Sequence, residues 1–198
     1  VRPRPRAAAL AVLIAGSALL AACGRAGEDA RASQYATLNP SGDFALTDQD
    51  GKPFRLSAHR DQVVLLFFGY LSCPDICPTT LSKLSRVYKL LGPERRAKVL
   101  TVFVTIDGKR DTGTKLKEYL SYFDVNSVGL TGTQEEVDRV VKAYGASYKR
   151  VETRSALGYL YDHSDLVYLI DPRGKVENLI HADDKAEEIA RDVEKILS

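Results

Sequence analysis

Apolar residues along this chain alternate between short unbroken runs and stretches in which they recur every three or four positions. The run Val-Val-Leu-Leu-Phe-Phe at residues 63–68 is β-branched, aliphatic or aromatic throughout, as in a strand buried on both faces. After it, Leu81, Leu84, Val87, Tyr88 and Leu91 define one face of a helix, with Pro78 suited to its first turn and Gly92-Pro93 placed to stop it. A second buried strand is predicted over residues 98–106. A helix is predicted over residues 112–123, with Leu116, Tyr119, Leu120 and Phe123 on one side. Thr133-Gln-Glu-Glu136 is a capping box for a helix that runs to Tyr144 and ends at Gly145. Residues 147–151 alternate weakly and read as a strand. Residues 166–170 and 176–180 flank Asp171-Pro-Arg-Gly174 as a hairpin, and another hairpin turns at Asp50-Gly51 within residues 43–56. Residues 184–197 close the chain as a helix with Ala186, Ile189, Val193, Ile196 and Leu197 apolar.

Strand, helix, strand, then helices, a hairpin and a last helix amount to an α/β domain of thioredoxin-like type with an N-terminal β-hairpin, over residues 41–198. That length suits a single domain with a sizeable core. Ahead of it the pattern changes. Arg2, Arg4 and Arg6 precede an apolar stretch at residues 7–20, about fourteen residues and too short to span a bilayer. This is the layout of a secretory signal, and Leu20-Ala-Ala-Cys23 resembles a bacterial lipobox, in which Cys23 is lipidated and heads the mature chain. Ordinary cleavage near Ala22 would leave a free thiol instead. Residues 23–40 are small and polar and read as a tether between membrane and domain. The expected location is the bacterial cell envelope, anchored on the extracytoplasmic side.

Composition changes this picture little. The formal net charge is +2, and without the three arginines of residues 1–22 it becomes −1. No basic tract argues for nucleic acid, and a monomer is expected. Cysteine count matters more. Three are odd for an exported protein, but with Cys23 lipidated the other two form a pair.

That pair lies in Gly69-Tyr-Leu-Ser-Cys73-Pro-Asp-Ile-Cys77-Pro-Thr-Thr-Leu81, between the buried strand and its helix, where open α/β sheets place their chemistry. Four positions apart on a helical turn, the two sulfurs are within reach of a disulfide or of one metal ion. Cys77, near the helix N-terminus, is expected to have the favoured thiolate. The residues leave three readings open: a redox dithiol, a pair of soft metal ligands, or a structural staple. The whole motif resembles the copper-site motif of the Sco/SenC family, thioredoxin-fold proteins that assemble the dinuclear copper centre of cytochrome c oxidase. The resemblance extends over the domain: residues 102–107 with Arg110-Asp-Thr112, the turn Val128-Gly-Leu-Thr-Gly132, and Asp162-His-Ser164 ahead of the last hairpin. It departs at Gly108-Lys109, usually Pro-Glu, and at Leu71-Ser72, often Thr-His.

The resemblance implies that His163 is the third ligand beside Cys73 and Cys77. In related folds its loop faces the dithiol, and here that loop lacks the proline with which reductases dock a substrate. Two thiolates and an imidazole suit Cu(I), with Cu(II) also accessible, whereas structural zinc normally takes four protein ligands. His59 reads as a surface residue and His181 as solvated or capping. Asp107 and Asp111 read by default as a charged loop. The function implied is an exported, membrane-tethered copper metallochaperone whose partner is the copper-binding subunit of a haem–copper oxidase. The alternative is a thiol–disulfide oxidoreductase that uses Cys73 and Cys77 alone. A peroxidase is disfavoured, because the second cysteine is too close and no arginine lies nearby in sequence.

Overall fold

The structure is a computed structural model that describes residues 42–198. The expected signal at residues 1–22, the expected lipidation site Cys23 and the expected tether lie outside the described residues. Nine strands form: β1 (Ala45–Asp48), β2 (Pro53–Arg55), β3 (Val63–Gly69), β4 (Val99–Thr105), β5 (Ser127–Thr131), β6 (Tyr148–Glu152), β7 (Tyr159–His163), β8 (Val167–Ile170) and β9 (Val176–Ile180). Four α-helices accompany them: α1 (Ile76–Arg96), α2 (Gly113–Ser121), α3 (Gln134–Ala143) and α4 (Ala186–Leu197). Seven strands make one sheet in the order β2-β1-β5-β4-β3-β8-β9, and β6 with β7 make a separate two-stranded ribbon.

The parallel centre of the sheet, β5-β4-β3, is where the apolar runs fall. Every residue of β3 and β4 is buried, as unbroken apolar strands covered on both faces require. Alternation then sorts the side chains. Val63, Leu65 and Phe67 of β3 join Leu81, Leu84, Val87 and Tyr88 of α1 and Ile189 and Val193 of α4 in one core. Phe68 faces the other way, into a cluster with Tyr144 and Tyr168. Helix α1 carries the site, and its polar side is tied to the α4 side by Arg86–Glu187 and Arg95–Glu194 at 2.5 and 3.0 Å.

The predicted stop in the first helix is present as a break. Gly92 has φ 72° and ψ 175°, outside helical space, and one more turn from Pro93 to Arg96 follows it. The capping box is formed in both directions, with Thr133 accepting from Glu136 N–H and the Glu136 carboxylate accepting from Thr133 N–H. Two strands were not predicted. The Val128–Gly132 segment, expected as a turn, is largely strand β5, which pairs with β4 in parallel and with β1 antiparallel. Gly129 is needed there, because a Cβ would come within 2.9 Å of Leu120 and 3.1 Å of Leu116. The other is β7, which the alternation of Tyr159, Tyr161 and His163 announces. His163 therefore ends a strand rather than sitting in a loop.

Leu84 is fully buried between α1 and the sheet. Leu84→Ala is expected to cost about 2–5 kcal/mol, read as a lower urea midpoint at unchanged slope.

Candidate metal centre

Strand β3 ends at Gly69 and the chain enters a tight loop, in which Cys73 N–H donates to Tyr70 O at 3.2 Å. Leu71 N–H donates to Asp111 Oδ2 at 3.0 Å, so the loop is pinned from a second side. Helix α1 starts at Ile76, with Cys77 and Pro78 in its first turn, where the missing proline N–H is an orphan donor anyway. Cys73 thus precedes the helix and stays partly open, while Cys77 is fully buried. Its sulfur fills the space a side chain at Gly69 would take: a Cβ there would lie 2.6 Å from Cys77 Sγ and 3.0 Å from the Phe103 ring.

The third residue arrives from elsewhere in the chain. In the β6–β7 ribbon Tyr148 pairs with His163 and Glu152 with Tyr159. Alternate residues of β7 share a face, and each of them is gripped. Tyr161 N–H donates to Tyr70 Oη at 3.2 Å, and that hydroxyl donates to Tyr161 O at 3.3 Å. The Tyr70 ring meets His163 edge to face at 5.6 Å. Beyond the strand, Ser164 N–H donates to Ser147 O at 2.9 Å. His163 Nε2 comes to 3.7 Å from Cys73 Sγ and 3.7 Å from Cys77 Sγ.

The three ligand atoms lie within 4.8 Å of one another. Metal–sulfur and metal–nitrogen bonds of about 2.3 and 2.0 Å, at trigonal to tetrahedral angles, separate S and N by about 3.5–3.7 Å. The spacing fits one ion with little movement. The tautomer fits as well. Nδ1 lies 2.9 Å from the Ser164 carbonyl, which only accepts, so Nδ1 carries a proton and Nε2 faces the sulfurs.

Electrostatics divide the two thiols. A hydrogen bond from the Cys77 thiol, helped by His163 and opposed by burial, holds Cys73 well below the ordinary thiol range. Donating that bond, together with its burial, pushes Cys77 far up. The helix N-terminus was expected to favour the Cys77 thiolate; its bond to Cys73 and its complete burial outweigh that effect, and Cys73 ionises first. Burial works to lower His163, but its bonds to Cys73 and the Ser164 carbonyl leave it raised. In the metal-free site Cys73 is the more acidic of the two thiols, and the Cys77 thiol donates to it.

Asp107 and Asp111, read as a charged loop, are buried at 1% and 2% exposure. Asp111 Oδ2 accepts from Leu71 N–H and from the Thr105 hydroxyl. Asp107 Oδ1 accepts from the Tyr159 hydroxyl at 3.0 Å, and Oδ2 accepts from Arg110 Nε. Tyr70, Tyr159 and Arg110 had no role assigned from sequence, and only the alternation along β7 hinted at the two tyrosines' faces. His59 is half-buried rather than on the surface, because it stacks on Phe54 at 4.8 Å. His181 N–H donates to Asp184 at 2.8 Å. Neither histidine joins the cluster. A cleft of about 320 Å³ opens beside Cys73 and His163, with Ile76, Val151 and Leu160 in its walls.

A mixed sheet flanked by helices, with a dithiol at the strand-to-helix junction and an imidazole carried over it by a separate ribbon, defines a thioredoxin-like protein with a two-sulfur, one-nitrogen site. Known proteins of the same build narrow this further. Residues 32–198 match the family model described as SCO1/SenC. The chain is 40% identical over 149 residues to a SCO2-like protein of Rickettsia felis, covering 75% of this chain and 72% of that one. It is 38% identical over 152 residues to a putative copper-binding protein of Stutzerimonas stutzeri, covering 77% and 74%. The solved structure of Bradyrhizobium japonicum ScoI with copper bound matches at TM-score 0.71 and 37% identity, across 78% of this chain and 98% of that one. The chain belongs to the SCO1/SenC family.

Two outcomes test the packing of the site. Gly69→Ala should destabilise by about 1–3 kcal/mol, and pairing it with Cys77→Ala should recover part of that loss in a double-mutant cycle by urea unfolding. Asp111 tests the electrostatics. Burial raises its carboxyl, so it contributes to folding below its ordinary range and loses that contribution as pH rises through its folded-state value. Asp111→Asn retains an acceptor for Leu71 and Thr105, and should gain Tm relative to wild type as pH goes from about 4 to about 7.

Proposed function

We propose that this protein is a copper metallochaperone that holds one copper ion through Cys73 Sγ, Cys77 Sγ and His163 Nε2. The observation that carries this is the convergence of two sulfurs and a correctly protonated imidazole nitrogen, with S···N separations of 3.7 Å. The set is soft and low-coordinate, which suits Cu(I) and leaves room for an incoming ligand. The copper-bound B. japonicum ScoI and the S. stutzeri copper-binding protein support the same metal. Cys73 is the exposed edge of the site, so exchange with a partner's ligands begins there, next to the apolar cleft. Family membership favours the copper-binding subunit of a haem–copper oxidase as the recipient. The lipobox-like Leu20-Ala-Ala-Cys23 supports a lipid anchor at Cys23 in the cell envelope, with residues 23–40 as the tether and residues 41–198 as the copper-binding domain.

Copper uptake displaces the proton of the Cys77 thiol, so affinity should weaken as pH is lowered. The test is competition of the reduced protein with a tight Cu(I) chelator. Wild type should retain one equivalent, and His163→Ala should weaken binding about tenfold or more. Equal binding by the variant removes His163 from the ligand set.

A second reading has its own observation. An accessible thiolate at Cys73 above a buried thiol at Cys77 is the order of an attacking and a resolving cysteine. Cys73 would attack a target disulfide, forming a mixed disulfide and releasing one target thiolate; Cys77, on losing its proton, would then attack Cys73 Sγ, closing the Cys73–Cys77 disulfide and releasing the second target thiolate. His163→Ala separates the two readings: reduction of a target disulfide should persist while copper binding weakens.

A further inference from the structure

The ribbon that carries His163 pairs with no strand of the main sheet. A two-stranded ribbon is marginal by itself, so the position of His163 depends on the side chains that hold β7 to the domain. Tyr70 holds the middle of the strand to the domain, while the Ser147–Ser164 bonds continue the ribbon's own pairing at the His163 end. The far end is held by Arg110.

Arg110 Nη1 donates to the carbonyls of Leu157 and Tyr159 at 3.1 and 3.0 Å, at the entry to β7. Its guanidinium lies 3.7 Å from the Tyr159 ring centre, and that of Arg150 lies 3.9 Å from the same centre. Two guanidinium groups that close to one ring must take opposite faces, so Tyr159 is sandwiched. Asp107 completes the clamp, accepting from the Tyr159 hydroxyl with one oxygen and from Arg110 Nε with the other. The Asp107 side chain is fully buried and Arg110 mostly so, so the pair is shielded from solvent and anchored to the sheet.

The same turn reaches the cysteine side. Arg110 and Asp111 N–H both donate to Asp107 O at 3.0 Å, which makes residues 107–111 one closed unit. Asp111 from that unit holds Leu71, two residues before Cys73. A single turn thus braces the loop bearing the thiols and the strand bearing the imidazole. We propose that Arg110 is a positioning residue for His163: by clamping Tyr159 at the start of β7, it fixes the distance between the imidazole and the two sulfurs. This rests on the copper reading for its consequence, but not for its geometry.

Arg110→Ala is the test. In the metal-free reduced protein, amide hydrogen exchange at residues 159–163 should accelerate at least about tenfold, and the His163 ring ¹⁵N signals should broaden, while β3 and α1 amides keep their rates. Copper affinity in the chelator competition should fall about fivefold or more. Unchanged exchange at residues 159–163 with an unchanged His163 signal overturns the proposal. So does acceleration across the whole domain, which marks a general stabilising role. If Arg110→Ala does not fold, Arg110→Lys keeps a cation beside Asp107 but loses the paired carbonyl bonds. It should still accelerate exchange at residues 159–163, and wild-type rates there overturn the proposal. Should wild type itself lose copper to the chelator, the copper reading falls, and exchange and ring signals still judge Arg110.

Discussion

Everything at the site depends on holding an imidazole over two sulfurs from which it is separated by about ninety residues of chain, and Tyr70 is where that constraint is met. Its carbonyl accepts from Cys73, its hydroxyl bonds both backbone groups of Tyr161, and its ring packs against His163. One buried residue therefore contacts both halves of the ligand set, through its backbone on the cysteine side and its side chain on the histidine side. The hydroxyl replaces the strand neighbour that β7 lacks on that edge, satisfying a donor and an acceptor otherwise left to solvent. A phenylalanine would keep the ring contacts and lose the bonds.

The two sulfurs differ because the fold treats them differently. Cys77 belongs to the core: it is packed beneath Gly69 and Phe103 and shares a cluster with Leu81 and Phe67. Cys73 belongs to the loop, before the helix has begun. Burial makes a second negative charge costly, so one thiol gives up its proton and the other keeps it to donate to the first. This asymmetry serves either chemistry. A metal ion neutralises the charge that burial opposes, and in its absence the exposed thiolate is the nucleophile with its resolving partner ready beneath it.

Much of this was legible from sequence because the central elements are strongly patterned. The runs at residues 63–68 and 98–106 could only be buried strands, and the motif between Gly69 and Leu81 fixed where the thiols sit. The two strands that were missed share a cause. β5 contains Ser127 and Gly129, which lower its strand signal, and Gly129 is there because Leu116 and Leu120 of α2 press on it. β7 lies in a ribbon with little core beneath it, so its alternation is aromatic against mixed rather than apolar against charged. Asp107 and Asp111 were misread for a related reason. Composition reports charge, not the partners that let charge be buried, and those partners are as distant in sequence as Tyr159 and Leu71.

The site thus joins two parts of unequal firmness. The thiols stand at the junction of β3 and α1, elements with no exposed residue at the strand and a largely apolar buried face on the helix. The imidazole stands on a ribbon whose outer strand is almost wholly exposed. Local openings are drawn from regions with few buried apolar contacts, so any loosening of the ligand set begins with the histidine and leaves the thiols in place. Under the proposed copper role, such a site would hold the ion through two sulfur ligands, while the third ligand's hold depends on a few side-chain bonds to the domain. On that proposed role, exchange with an incoming ligand would need movement of the ribbon only, not of the fold.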